Sequence, residues 1–219
     1  MTYLTYLVAR LCYKRNCMFS ANITLKIVKP LFFITCLLPF AALSYGFVYD
    51  NLGADPIQLM LKETGEWALR LLLATLAVTP IRHIFGWSSL IKLRRMLGLF
   101  SFFYAVLHLS LYVVFDQSLD VAAIITDIIE RPFITMGMVS FLLMLPLALT
   151  SSNFAIRYLT GQKWKQLHQL VYLVAIGVVI HFFWLAQSKA HITEPAIYVV
   201  ILAVLLLVRH PPILRKLQR

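Results

Sequence analysis

Charge is scarce in this chain: only 13% of its 219 residues are Asp, Glu, Lys or Arg, against 61% hydrophobic residues and a mean hydropathy of +0.82. A soluble domain of this size could not cover so much apolar surface with so few charges, which excludes that class and leaves an integral membrane protein. Glycine is sparse too. None of the eight glycines forms a G-x-G-x-x-G or Walker-type loop, so no nucleotide-binding domain is hidden here. The three cysteines, Cys12, Cys17 and Cys36, have neither zinc nor iron–sulfur spacing and give no disulfide framework. Internal repeats and broken helices, the marks of many secondary transporters, are not evident.

What the chain does contain is six apolar runs: Pro30–Tyr49, Trp67–Ile81, Met96–Phe115, Pro132–Thr150, Leu167–Gln187 and Pro195–Val208. A membrane span needs about 20 residues, so the second and sixth runs must borrow flanking residues. Continuous runs, without period-2 alternation, exclude a β-barrel. The expected fold is all-α, a polytopic membrane bundle of about six transmembrane helices. Residues 1–25 read as a cytoplasmic extension, 26–210 as the transmembrane domain and 211–219 as a basic cytoplasmic tail. The opening "MTYLTYLVARLCYKRNC" is too short to span and lacks a cleavage motif. It is either a mis-assigned start ahead of Met18 or a real amphipathic extension.

The few charges are sorted by side. With sides assigned by alternation, sixteen of the twenty Lys and Arg fall with the N-terminus, among them Arg10, Lys26, Arg82, Arg94, Arg95, Arg157 and Arg209. All nine acidic residues, from Asp50 to Glu194, fall on the other side or at its boundary. By the positive-inside rule both termini are cytoplasmic. The net charge of +11 is thus a topology signal. Contact with anionic inner-leaflet lipid accounts for it, and no nucleic-acid partner is implied. In one external loop, "LDVAAIITDIIERP", Val121, Ile124, Ile125, Ile128 and Ile129 recur at helical spacing, with Asp120, Asp127 and Glu130 between them. This predicts a short amphipathic helix on the outer surface.

Six histidines sort by depth. His83 and His210 adjoin arginines at cytoplasmic helix ends, and His191 lies in the last external loop. His108, His168 and His181 lie inside spans, where an ionisable residue is costly and marks function by default. Trp164 and Trp184 bracket the fifth span as interfacial anchors. At 1.5 Å per residue, His108 is about 20 Å beyond Arg95 and His181 about 24 Å beyond Lys165, whereas His168 is only about 5 Å in. His108 and His181 therefore share a depth. Two imidazoles facing each other across helices suit the axial positions of an iron porphyrin, and without C-x-x-C-H it would be non-covalent haem b. Zinc wants further ligands that the spans lack at that depth. Thirteen residues of ideal helix turn His168 about 140° away from His181, so the two serve different neighbours unless a π-bulge near Gly177 intervenes.

The motifs "LGADP", "LLATLAVTP", "LIKLRRMLGL", "LHLSLY", "RPFITMG" and "WKQLHQLVYLVAI…HFFW" occur in this order. In them the chain, from about Met18 onward, resembles the haem-binding membrane subunits of bacterial MsrPQ protein-methionine-sulfoxide reductase systems, within the ferric-reductase-like transmembrane group. The resemblance implies an inner-membrane carrier taking electrons from the quinone pool, through haem b and FMN, to a periplasmic molybdopterin-containing reductase that repairs oxidised methionine. The family's haem histidines fall on His108, His168 and His181. Related oxidases carry a second histidine one haem level inward on the third helix, where this chain has "LRRM". His168 then pairs with another ligand or flanks flavin. Arg94 and Arg95 suit a flavin phosphate or a quinone carbonyl, as well as lipid headgroups. A ferric reductase or b561-type carrier is the nearest alternative, and a histidine-using proton or metal transporter the alternative of another class.

Overall fold

With no water inside a bilayer to take up backbone N–H and C=O groups, an apolar chain must satisfy them internally. This chain does so with helices; among the described residues there is no strand. The structure, a computed structural model, describes residues 28–85, 90–188 and 192–209. The expectations for the first 17 or 25 residues, for the tail, and for Cys12, Cys17, His191 and His210 lie outside them.

Among the described residues, five helical stretches are long and apolar enough to cross a membrane: α1 (Val28–Val48), α2 (Pro56–Phe85), Ile91–Asp116, α5 (Pro132–Leu149) and Gly161–Gln187. The sixth apolar run forms a helix of 16 residues, α9 (Thr193–Val208), about 24 Å long. The protein is an all-α polytopic membrane protein. It divides into two compact units inside α1, Met1–Ala41 and Ala42–Arg219. All the features below belong to the second.

Three elements depart from the sequence expectation. The second span, read as starting at Trp67, extends back to Pro56 and takes Lys62, Glu63 and Glu66 into the helix. The Ile91–Asp116 stretch is α3 (Ile91–Leu111) closed by a π-turn at Tyr112–Asp116. The fifth span is interrupted: α7 (Gly161–Leu167) ends at His168, and α8 (Leu170–Ser188) runs on unbroken past Gly177. The irregularity therefore lies at His168–Gln169 and not at Gly177. Gly177 instead lets α8 press on α5, where an added Cβ would collide with Ser140 Oγ.

The expected short amphipathic helix is present as α4 (Val121–Glu130), capped by the Asp120 carboxylate accepting from Ala122 N and Ala123 N. Asp127 is buried. It accepts from Tyr112 Oη at 3.1 Å and Gln117 Nε2 at 2.8 Å, and it pairs with Arg131 at 3.3 Å. The opposite face, with Val121, Ile125 and Ile129, is exposed. Between α5 and α7, α6 (Asn153–Leu159) is a short connector capped by Ser152.

The core joins α2, α5, α8 and α9 through Leu69, Leu72, Leu76, Met144, Val174 and Leu202. Pro80 lies inside α2 and has no N–H to give the carbonyl four residues back, that of Leu76. Leu76 is fully buried, and Arg209, at the end of α9, supplies the missing donors. Its Nε and Nη2 reach Leu76 O at 3.1 and 2.6 Å, Nη2 also reaches Thr79 Oγ1, and Nη1 reaches Tyr172 Oη. A buried carbonyl left unsatisfied costs about 1–3 kcal/mol. Arg209→Ala is therefore expected to lower the melting temperature in detergent. Adding Pro80→Ala, which restores the helix donor, recovers part of the loss; equal losses with and without Pro80→Ala contradict this account.

Candidate functional site

The two deep histidines meet. His108 on α3 and His181 on α8 stand with ring centroids 6.3 Å apart and planes at 82°. Each is held in the same way. His108 Nδ1 lies 2.9 Å from Leu61 O on α2, and His181 Nδ1 lies 2.6 Å from Phe133 O on α5. A carbonyl has no hydrogen to give, so Nδ1 carries the proton and the lone pair sits on Nε2. One helical turn beyond each carbonyl is a glycine, Gly65 after Leu61 and Gly137 after Phe133. A Cβ on Gly65 would come 3.1 Å from the His108 ring, and one on Gly137 would come 2.8 Å from His181 Nδ1. The missing side chains let each imidazole lie against the neighbouring helix backbone.

Both rings line a cavity of about 1350 Å³, larger than the roughly 300–1,000 Å³ of ordinary ligand pockets. Its walls include the apolar Leu69, Leu72, Phe141 and Val178, and its polar lining includes Lys62, Glu66, Tyr112 and Arg131. The residues fit a haem on chemical grounds. An iron bound by two imidazole nitrogens at about 2 Å each separates the ring centres by about 6 Å, which the observed spacing matches. The backbone hydrogen bond on the far nitrogen is the arrangement that fixes the tautomer of a ligating histidine. Among the described residues, no three His, Cys, Asp or Glu side chains group to hold a bare metal ion.

His168 stands apart from this pair. At the end of α7 it stacks on Trp164 with centroids 3.9 Å apart, and its Nδ1 lies 3.1 Å from Trp164 O. Its Nε2 is buried without a hydrogen-bond partner, near the Leu147 carbonyl. Trp164, expected as a lipid-interface anchor, is half-buried and donates to Thr150 O at 3.0 Å. Arg94 is half-buried in the electrostatic neighbourhood of His168, Tyr172 and Arg209. Arg95 is exposed and donates to Asn153 Oδ1 at 2.7 Å. Neither arginine lines the cavity of the histidine pair, and among the described residues neither forms an ion pair.

Sequence reading missed three residues of the site: Gly65, Gly137 and Glu66. Glu66 was placed at an external boundary, but it is only 6% exposed and lines the cavity.

Residues 64–179 match the family described as ferric reductase like transmembrane component, a segment that holds His108 and His168 and stops two residues short of His181. The chain is 45% identical to the protein-methionine-sulfoxide reductase heme-binding subunit MsrQ of Herminiimonas arsenicoxydans, covering 84% of this chain and 85% of that protein. It is 48% identical to the protein of that name from Polaromonas naphthalenivorans, over 81% of each chain. It is 49% identical to the one from Azospira oryzae, over 83% of this chain and 78% of that one. No solved structure matches. The chain belongs to the MsrQ family of ferric-reductase-like membrane proteins.

Proposed function

We propose that this chain is a membrane b-type cytochrome, in which His108 and His181 would hold haem b between them. The observation that carries this reading is the cross-helix pair, 6.3 Å between ring centres, with each Nδ1 occupied by a backbone carbonyl and each ring lining the cavity. Haem supplies a one-electron carrier. Leu61 and Phe133 orient the ligands, Gly65 and Gly137 admit them, and the apolar walls keep water from the reacting centre.

The chain sits in the bacterial inner membrane with both termini cytoplasmic. It accepts electrons from the quinone pool, with FMN as a further carrier, and passes them to the periplasmic molybdopterin-containing reductase MsrP, which reduces methionine sulfoxide in envelope proteins. His168, with a buried and unpartnered Nε2, belongs to the inner stage of that route, as a ligand or beside flavin. Arg94 and Arg95 serve a flavin phosphate or a quinone there. Membrane lipid is the remaining partner.

Reconstitution tests this reading. In proteoliposomes carrying a quinol, the haem is expected to become reduced, and to reoxidise when MsrP and methionine sulfoxide are added outside. Haem that stays reduced after both are added contradicts the proposed route.

A further inference from the structure

The cavity contains an ionisable group that the electron route does not use. Glu66 lies within the α2 span, buried to 6% exposure among cavity-lining residues. Its Oε2 pairs with Arg70. Its Oε1 is buried with no hydrogen-bond partner; Lys62 Nζ stands 3.6 Å away, in ion-pair range but too far for a hydrogen bond.

The surrounding charge does not close. Lys62 also reaches Glu194 at 3.2 Å, and Arg70 reaches Glu63 at 3.8 Å. Two cations thus face three carboxylates, leaving one negative charge in excess. Other groups also face this cluster or line the same cavity. From α9, Tyr198 Oη accepts from Arg70 Nε at 3.1 Å. From α3, Tyr104 packs on Trp67, and His108 lines the cavity together with His181 of α8. Tyr112, Asp116 and Arg131 line the cavity as well. Adding an electron to such a low-dielectric site raises the cost of the excess negative charge, and one proton on the most buried carboxylate removes it.

We propose that Glu66 is the redox-linked proton site of this cavity. When a one-electron donor reduces ferric haem to ferrous, the Glu66 carboxylate takes one proton from water to become the neutral acid, and on oxidation it returns that proton. This rests on the haem reading above. Lys62, 3.6 Å from the Glu66 carboxylate, and Glu194 beyond it have side chains 51% and 59% exposed, and they form the proposed route for that proton.

Reduced-minus-oxidised infrared spectroscopy of the haem-loaded protein tests the proposal, with optical redox titration at a series of pH values alongside. In the parent, reduction is expected to bring up a carboxylic-acid C=O band that shifts in D2O, and the midpoint potential falls as pH rises. Glu66→Gln removes the band and flattens the pH dependence, whereas Glu130→Gln, at an exposed site outside the cavity, changes neither. If Glu66→Gln does not hold haem, Glu66→Asp provides the readout: a displaced band supports the assignment and an unchanged band overturns it. A parent with intact haem absorbance but no such band overturns the proton site alone. A parent that binds no haem overturns the functional reading and this inference with it.

Discussion

Replacing His108 or His181 with Ala is expected to abolish the low-spin b-type spectrum, whereas His168→Ala is expected to leave it in place. The reason is geometric. With ring centres 6.3 Å apart, His108 and His181 would together hold the haem iron, and losing either would remove one of its two ligands and with it the low-spin state. His168 is engaged elsewhere, stacked on Trp164 and bonded to its carbonyl. On the proposed route its substitution is expected to slow reduction of the haem by quinol or flavin while leaving His108 and His181 in place. Optical spectra of the three purified variants, each normalised to protein, check this. Loss of the low-spin signal in His168→Ala, with retention in His181→Ala, would assign the ligands to His108 and His168.

Gly137→Ala is expected to lower haem occupancy nearly as far as loss of a ligand, although the new side chain is a single methyl. Its Cβ would stand 2.8 Å from His181 Nδ1 and 3.0 Å from Cε1, closer than carbon and nitrogen tolerate. The far neighbour is the stiff body of an imidazole, not the end of a flexible chain, so the ring must leave the Phe133 carbonyl. Overpacking of this kind costs about 1–3 kcal/mol, and each 1.4 kcal/mol is about tenfold in haem affinity. Gly65→Ala, with a contact of 3.1 Å to His108, loses less. Gly161→Ala, where a Cβ meets nothing within 4 Å, retains full haem. Haem content by pyridine haemochrome ranks the three. Unchanged content in Gly137→Ala would show that this glycine does not position the ring.

Much of the site was legible in the sequence because depth is a one-dimensional quantity. Counting residues from basic interfaces placed His108 and His181 at one level, and the structure brings those two together. Azimuth was less legible, because the rotation expected between His168 and His181 assumes an unbroken helix and the chain leaves it at His168–Gln169. The break at His168–Gln169, however, is not marked by the Gly177 that drew attention. The glycines escaped because their role depends on which helices pack together. The Leu61–Gly65 and Phe133–Gly137 pairs acquire meaning only once α2 is known to face His108 and α5 to face His181. Glu66 escaped because hydropathy draws the span from Trp67, while its Lys62 and Arg70 partners allow the helix to carry it inward.

The central claim, a bis-histidine haem b between α3 and α8, is tested most directly by the optical and electron paramagnetic resonance spectra of the purified protein expressed with ample haem. The account predicts a red protein with a low-spin b-type spectrum that changes on dithionite addition. Because the imidazole planes cross at 82°, it also predicts a strongly anisotropic low-spin resonance in the oxidised state. A colourless preparation, or haem that is wholly high-spin, would contradict it.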